Sequence, residues 1–146
     1  MYVENEVEAD GSGSVYDEIV SAIQNRGVTQ VAIYCFSHGC GSTFDLSEKL
    51  DANTDSIGSF EIPFTAYIDG IENDSDVDLD PEIRLPIGTG YHMNYYQSSF
   101  LWWLWGASIP EADVDEEVYG VTHITITNDV DVQNAIHDEL VSRVSR

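Results

Sequence analysis

The sequence predicts an α+β domain, a mainly antiparallel sheet of about five to six strands flanked by an N-terminal and a C-terminal helix. Three observations predict it. Apolar stripes at helical spacing stand near both ends of the chain, several short runs with strand patterning lie between them, and the strand–helix alternation of a doubly wound sheet is missing. With 146 residues, the chain can bury one core without cross-links.

Residues 1–14 read as an acidic arm ending in the flexible stretch Gly11-Ser12-Gly13-Ser14, and residues 15–146 as a single domain. Val15, Ile19, Val20, Ala22 and Ile23 make one helical stripe, and Gly27 stops that helix after Arg26. Val28 to Phe36 is a continuous β-branched and aromatic run, as expected of a central strand covered on both faces. Thr43 to Leu50 reads either as a strand or as a short helix.

From Ser59 to Ile68 the alternation is clean, with Phe60, Ile62, Phe64, Ala66 and Ile68 on one face, and Pro63 places this strand near a sheet edge. After an acidic loop, Ile83, Leu85 and Ile87 alternate, and Gly88-Thr89-Gly90 turns into an aromatic segment from Tyr91 to Trp105; two further strands are expected there. An acidic connector, Glu111 to Glu117, leads to another expected strand, Val118 to Thr127. Asn128 to Asp131 then offer caps for a last helix with the stripe Val132, Ile136, Leu140 and Val144.

Charge narrows the function classes. Asp and Glu number 27 against five Lys and Arg, a formal net charge of −22. Such self-repulsion destabilises a compact state in dilute buffer, whereas the Debye length falls from about 10 Å at 0.1 M salt to about 3 Å at 1 M. The 42% hydrophobic content supplies a packed interior. The five basic residues are scattered, so no direct nucleic-acid ligand is expected. Neither a secretion signal nor a membrane span is expected, which places the chain in a cytoplasm or a virion. The acid-rich, lysine-poor composition resembles that of proteins from extremely halophilic archaea and their viruses.

Several residues are candidates for chemistry. Ser37-His38-Gly39 at the end of a hydrophobic strand is similar to the histidine block of caspase-type cysteine proteases, in which His38 would be a general base, but those enzymes place a nucleophilic cysteine after a second, later strand, whereas Cys35 and Cys40 both flank the histidine. Cys40 is a candidate nucleophile, although a glycine on each side gives the wrong spacing for a nucleophile elbow. Cys35, His38 and Cys40 supply three soft ligands where structural zinc takes four. Asp74, Asp76, Asp78 and Asp80 alternate like the opening of a calcium loop, but Leu79 and Leu85 stand where glycine and glutamate belong. A solvated acidic loop accounts for them, and no cofactor is implied.

The aromatic segment holds all three tryptophans. Core packing, a subunit interface and a sugar-stacking face compete for it. Tyr95, Tyr96, Phe100, Trp102, Trp103 and Trp105 are the candidate interface residues. The favoured expectation is a non-enzymatic structural or assembly subunit, a homo-oligomer or part of a larger complex, resembling in size and layout the small neck or tail proteins of haloarchaeal tailed viruses. The alternative is a small ligand- or carbohydrate-binding protein, or a hydrolase using His38 and Cys40.

Overall fold

A computed structural model describes residues 7–73, 79–99 and 104–144. Helix α1 (Ser14–Arg26) is followed by strand β1 (Gln30–Phe36), helix α2 (Gly39–Ala52), a single helical turn α3 (Thr54–Ile57), strands β2 (Glu61–Ile68), β3 (His92–Tyr96) and β4 (Val114–Glu117), and helix α4 (Val130–Arg143). The strands form one sheet in the order β1-β2-β3-β4, every pair parallel.

This corrects the expected antiparallel sheet of five to six strands: among the described residues there are four strands, and all run the same way. Parallel neighbours need long crossovers. The first crossover is helical, through α2, the segment whose sequence fits a strand or a helix. The described residues of the other two, 69–73 with 79–91 and 97–99 with 104–113, contain no helix.

Three further expectations change. β1 lies at the end of the strand order rather than its centre, with Tyr34 62% and Phe36 37% exposed. Pro63 sits inside the sheet, on a strand paired on both sides, where the β1–β2 register slips between Gln30 and Ala32; such an irregularity accommodates a residue with no N–H to donate. Ile83, Leu85 and Ile87 form no strand. The 118–127 segment is a loop ending in a 3-10 turn at Ile126–Asn128, while the acidic connector before it supplies β4.

Both terminal helices stand where their patterns place them. Gly27 ends α1 in the left-handed conformation, and Asp129 caps α4 by accepting from the N–H groups of Asp131 and Val132. Residues of the presumed flexible arm are packed. Gly11 is buried so tightly that a Cβ there would lie 2.2 Å from the Asp45 carbonyl oxygen, and Lys49 pairs with Asp10 at 2.9 Å.

Alternation on β2 splits the interior. Phe64, Ala66 and Ile68 pack with Met93, Tyr95, Ile126, Val132 and Ile136 under α4. On the other face, Tyr67 packs with Cys40 and Ile109, and Ile23, Leu46, Leu50 and Ile57 form a cluster under Val31 and Ile33 of β1. A sheet covered on both faces leaves the carboxyl ends of its strands as the open rim, where parallel sheets place their sites. No helix among the described residues is long and apolar enough to cross a membrane.

Candidate active site

The β1–β2 register pairs Phe36 with Ile68, so the next residues, Ser37 and Asp69, leave adjacent strands at the same level. Both have positive φ, 58° at Ser37 and 49° at Asp69, the two non-glycine residues in that region among those described. A side chain in the left-handed region costs about 1–3 kcal/mol and persists where surrounding bonds impose it.

Those bonds are present. The Ser37 amide donates to the Ile68 carbonyl at 3.2 Å, and the Ser37 carbonyl accepts from Cys40 and Ile71 amides at 2.9 and 3.1 Å. Ser37 therefore stands on a sharp turn between β1 and α2, which begins two residues later. A disulfide between Cys35 and Cys40, Cα atoms 5.1 Å apart, brackets the turn.

Asp69 is fully buried and its carboxylate is saturated. Oδ1 accepts from the amides of Gln97 (3.1 Å) and Gly106 (2.5 Å), and Oδ2 from Gln97 Nε2 (2.8 Å). Glycine is required at 106, because a Cβ would lie 2.8 Å from Oδ1 and 3.0 Å from the Asp69 Cα.

The fourth partner is His123, from the loop after β4. Its Nδ1 lies 2.7 Å from Asp69 Oδ2 and its Nε2 lies 2.8 Å from Ser37 Oγ. With Asp69 accepting at every other bond, Nδ1 carries the proton and donates, which leaves Nε2 to accept from the Ser37 hydroxyl. The imidazole is 6% exposed and stacks on Phe36, ring centroids 4.7 Å apart. Its backbone is held in a turn in which the amides of Thr125 and Ile126 both donate to the Thr122 carbonyl at 3.0 Å, and the fully buried Ile126 anchors that turn in the core.

Ser37, Asp69 and His123 thus come from the ends of β1 and β2 and from the β4–α4 loop, in the chain order Ser, Asp, His, which suits a nucleophile, an orienting carboxylate and a base. This arrangement can activate a hydroxyl for attack on a carbonyl carbon.

The residues singled out from sequence lie elsewhere or play other parts. Cys40 is fully buried with its sulfur bonded to Cys35, so it presents no thiolate. His38 stands at the N-cap position of α2 next to Ser37, without a side-chain capping bond. Tyr95 is buried in the core, Tyr96 is half-buried and Trp105 is 45% exposed. Phe100, Trp102 and Trp103, like Asp74, Asp76 and Asp78, lie outside the described residues, and Asp80 is exposed. Among the described residues, no three His, Cys, Asp or Glu side chains gather as a metal site requires.

Sequence reasoning missed Ser37, Asp69 and His123. One signal was available: Gly39 stands two places after Ser37, half of the Gly-x-Ser-x-Gly elbow, with Cys35 in the place of the first glycine. Nothing local marks Asp69 among 27 acids, or His123. No family model, no curated protein and no solved structure matches the chain.

Proposed function

We propose that the chain is a serine hydrolase that cleaves carboxylic esters and is adapted to concentrated salt. One observation carries the reading: His123 is hydrogen-bonded at one ring nitrogen to a buried carboxylate and at the other to a serine hydroxyl on a strained strand-to-helix turn. The chain order Ser, Asp, His and the strand–nucleophile–helix setting are those of α/β-hydrolase enzymes, an analogy of arrangement.

In the reaction, Ser37 Oγ attacks the ester carbonyl carbon while its proton passes to His123 Nε2. Asp69 stabilises the imidazolium through Nδ1–H. Charge gathers on the former carbonyl oxygen beside the start of α2, where the amide after the nucleophile and the helix dipole favour a negative charge. His123 then gives its proton to the departing alkoxide, leaving an acyl-serine. Water then gives a proton to His123 Nε2 as it attacks the acyl carbon, the bond from that carbon to Ser37 Oγ breaks, and His123 returns the proton to Oγ, which releases the acid and restores Ser37.

The test is turnover of a short-chain p-nitrophenyl ester in molar KCl, with mass analysis after a fluorophosphonate probe. The expected result is a single adduct on Ser37, and loss of turnover by about a thousandfold or more in Ser37→Ala. Turnover surviving in Ser37→Ala, or no adduct on Ser37, removes the reading.

A second reading is the assembly subunit, with virion necks or tails of haloarchaeal viruses as its setting. It draws support from β1, which pairs on one side only among the described residues and carries Tyr34, 62% exposed, and from Trp105, 45% exposed. Native mass in molar KCl tests it, and a strictly monomeric chain removes the self-assembling form.

A further inference from the structure

A cleft of about 330 Å³ opens beside the proposed catalytic residues, lined by Ser98, Ser99, Glu117, Tyr119, Val121 and Thr122, among others. Its walls are chain neighbours of the site. Ser98 and Ser99 follow Gln97, which donates twice to Asp69, and Thr122 precedes His123. The cleft therefore adjoins, through the chain, the segments that hold Asp69 and His123.

Among the described lining residues, one is charged, Glu117. Its carboxylate accepts from the Ser98 hydroxyl and, at 2.8 Å, from the Tyr119 hydroxyl, which fixes it at the wall. Those two hydrogen bonds, Ser98's first, hold the Glu117 carboxyl below its usual range. Tyr119 is 80% exposed, so its ring is available to a ligand. A fixed carboxylate beside an open aromatic ring attracts an organic cation both by charge and through the ring face, and it repels an anionic group.

We infer that this cleft is the subsite for the non-reacting part of the ester, that it selects a cationic ammonium group over a neutral one, and that Glu117 is the specificity-determining residue. The inference rests on the serine-hydrolase reading of the adjoining site. It separates the ester classes by charge: substrates carrying a quaternary or primary ammonium are taken, and those carrying a carboxylate or phosphate are refused.

The experiment compares the trimethylammonioethyl ester of acetic acid with its uncharged 3,3-dimethylbutyl isostere, which has the same shape. Both are measured at one ionic strength. The expected result is a kcat/KM ratio of about five to ten in favour of the cation, falling to near one in Glu117→Gln. Glu48→Gln, an exposed residue on α2, alters net charge equally and should leave the ratio unchanged, which separates the local carboxylate from the charge of the whole chain.

A ratio near one in the unaltered protein, or one that survives Glu117→Gln, overturns the inference while Ser37-dependent turnover keeps the hydrolase reading. If neither ester is hydrolysed through Ser37, that reading falls, and the cleft is judged by binding. Titration of Ser37→Ala with (2-methoxyethyl)trimethylammonium should then shift the amide resonances of Tyr119 and Thr122, and the shift should vanish in Ser37→Ala/Glu117→Gln. No shift, or one independent of Glu117, overturns the inference there too.

Discussion

Ser37 and Asp69 leave two neighbouring parallel strands at the same level, each through a positive φ, and a single imidazole joins their side chains. Two strained residues side by side cost roughly 2–6 kcal/mol together. The fold retains them by giving Ser37 three backbone bonds and the Asp69 carboxylate four donors. Strain held this way at the carboxyl rim of a parallel sheet is consistent with the hydrolase reading proposed above.

Asp69→Asn tests the orienting role. The amide that replaces one carboxylate oxygen brings two donors into a pocket where four N–H groups already point inward. At least one donor pair must clash, and His123 turns to its other tautomer. The expected outcome is a fall in kcat of about ten-thousandfold with KM little changed, and a stability loss of about 1–3 kcal/mol. Steady-state kinetics and denaturant titration check it; unaltered kcat sinks the assignment.

How much was legible follows from what each feature depends on. Gly27 and Asp129 announced helix ends because capping is a local property of a few residues. Strand direction was not legible, since alternation looks the same on parallel and antiparallel strands and the 69–91 and 97–113 crossovers carry no helical period. Thr65 and Tyr67 look like the outer face of a half-solvated strand, yet both are fully buried under α2 and its neighbours. His123 was hidden for a related reason. Residues 118–127 have strand-like composition, but Ile124 is 61% exposed and the segment is spent on delivering one ring across two strands. A triad assembled from three loop ends is a tertiary fact, and only the Ser37–Gly39 spacing projects onto the sequence.

Opening the Cys35–Cys40 bond should act on Ser37 first. The bond closes a very short loop, worth roughly 2 kcal/mol on the chain-entropy account, and Ser37 lies inside it. Freed from the bracket, the turn can relax toward an ordinary φ and carry the hydroxyl away from His123 Nε2. Cys35→Ser/Cys40→Ser, or reduction, should slow fluorophosphonate labelling of Ser37 by about 10- to 100-fold. Equal labelling rates in the two forms would show that the other backbone bonds hold the turn alone.

His92 sets a pH limit on stability. Burial pushes its imidazole down to about 4 from the ordinary 6.5, against the partial opposing pull of Asp113 and Asp115. Its Nδ1 meets Thr65 Oγ1 at 2.8 Å, and Nε2 is buried without a hydrogen-bond partner among the described residues. Between pH 6.5 and 4 the unfolded chain binds a proton that the folded one refuses, so stability is lost as pH falls through that window, by up to roughly 3 kcal/mol, and is unaffected above it. Protonation of carboxylates relieves repulsion over part of the same range, so the measurement is a difference. Stability of the unaltered protein minus that of His92→Leu should be flat above pH 6.5 and decline toward pH 4. A flat difference throughout would place the imidazole in contact with water.

Salt should stabilise the fold, and the ion pairs say why. Arg26, Lys49, Arg84 and Arg143, the described basic residues, are already paired with Glu18, Asp10, Glu82 and Glu139. No described cation remains to offset the other acids of a chain with net charge −22. Screening weakens these pairs, three of which are at the surface and worth at most about 1 kcal/mol each. It also relieves repulsion among many more carboxylates, and this second effect is the larger. The thermal midpoint should therefore climb with KCl, most steeply up to about 1 M, where the Debye length has shrunk to about 3 Å. Replacing the exposed Glu48, Glu111 and Glu116 by glutamine should flatten that climb, because fewer like charges are left to screen. A midpoint indifferent to KCl, or an equal slope in the neutralised variant, would mean that salt acts through water and apolar burial instead of through these charges.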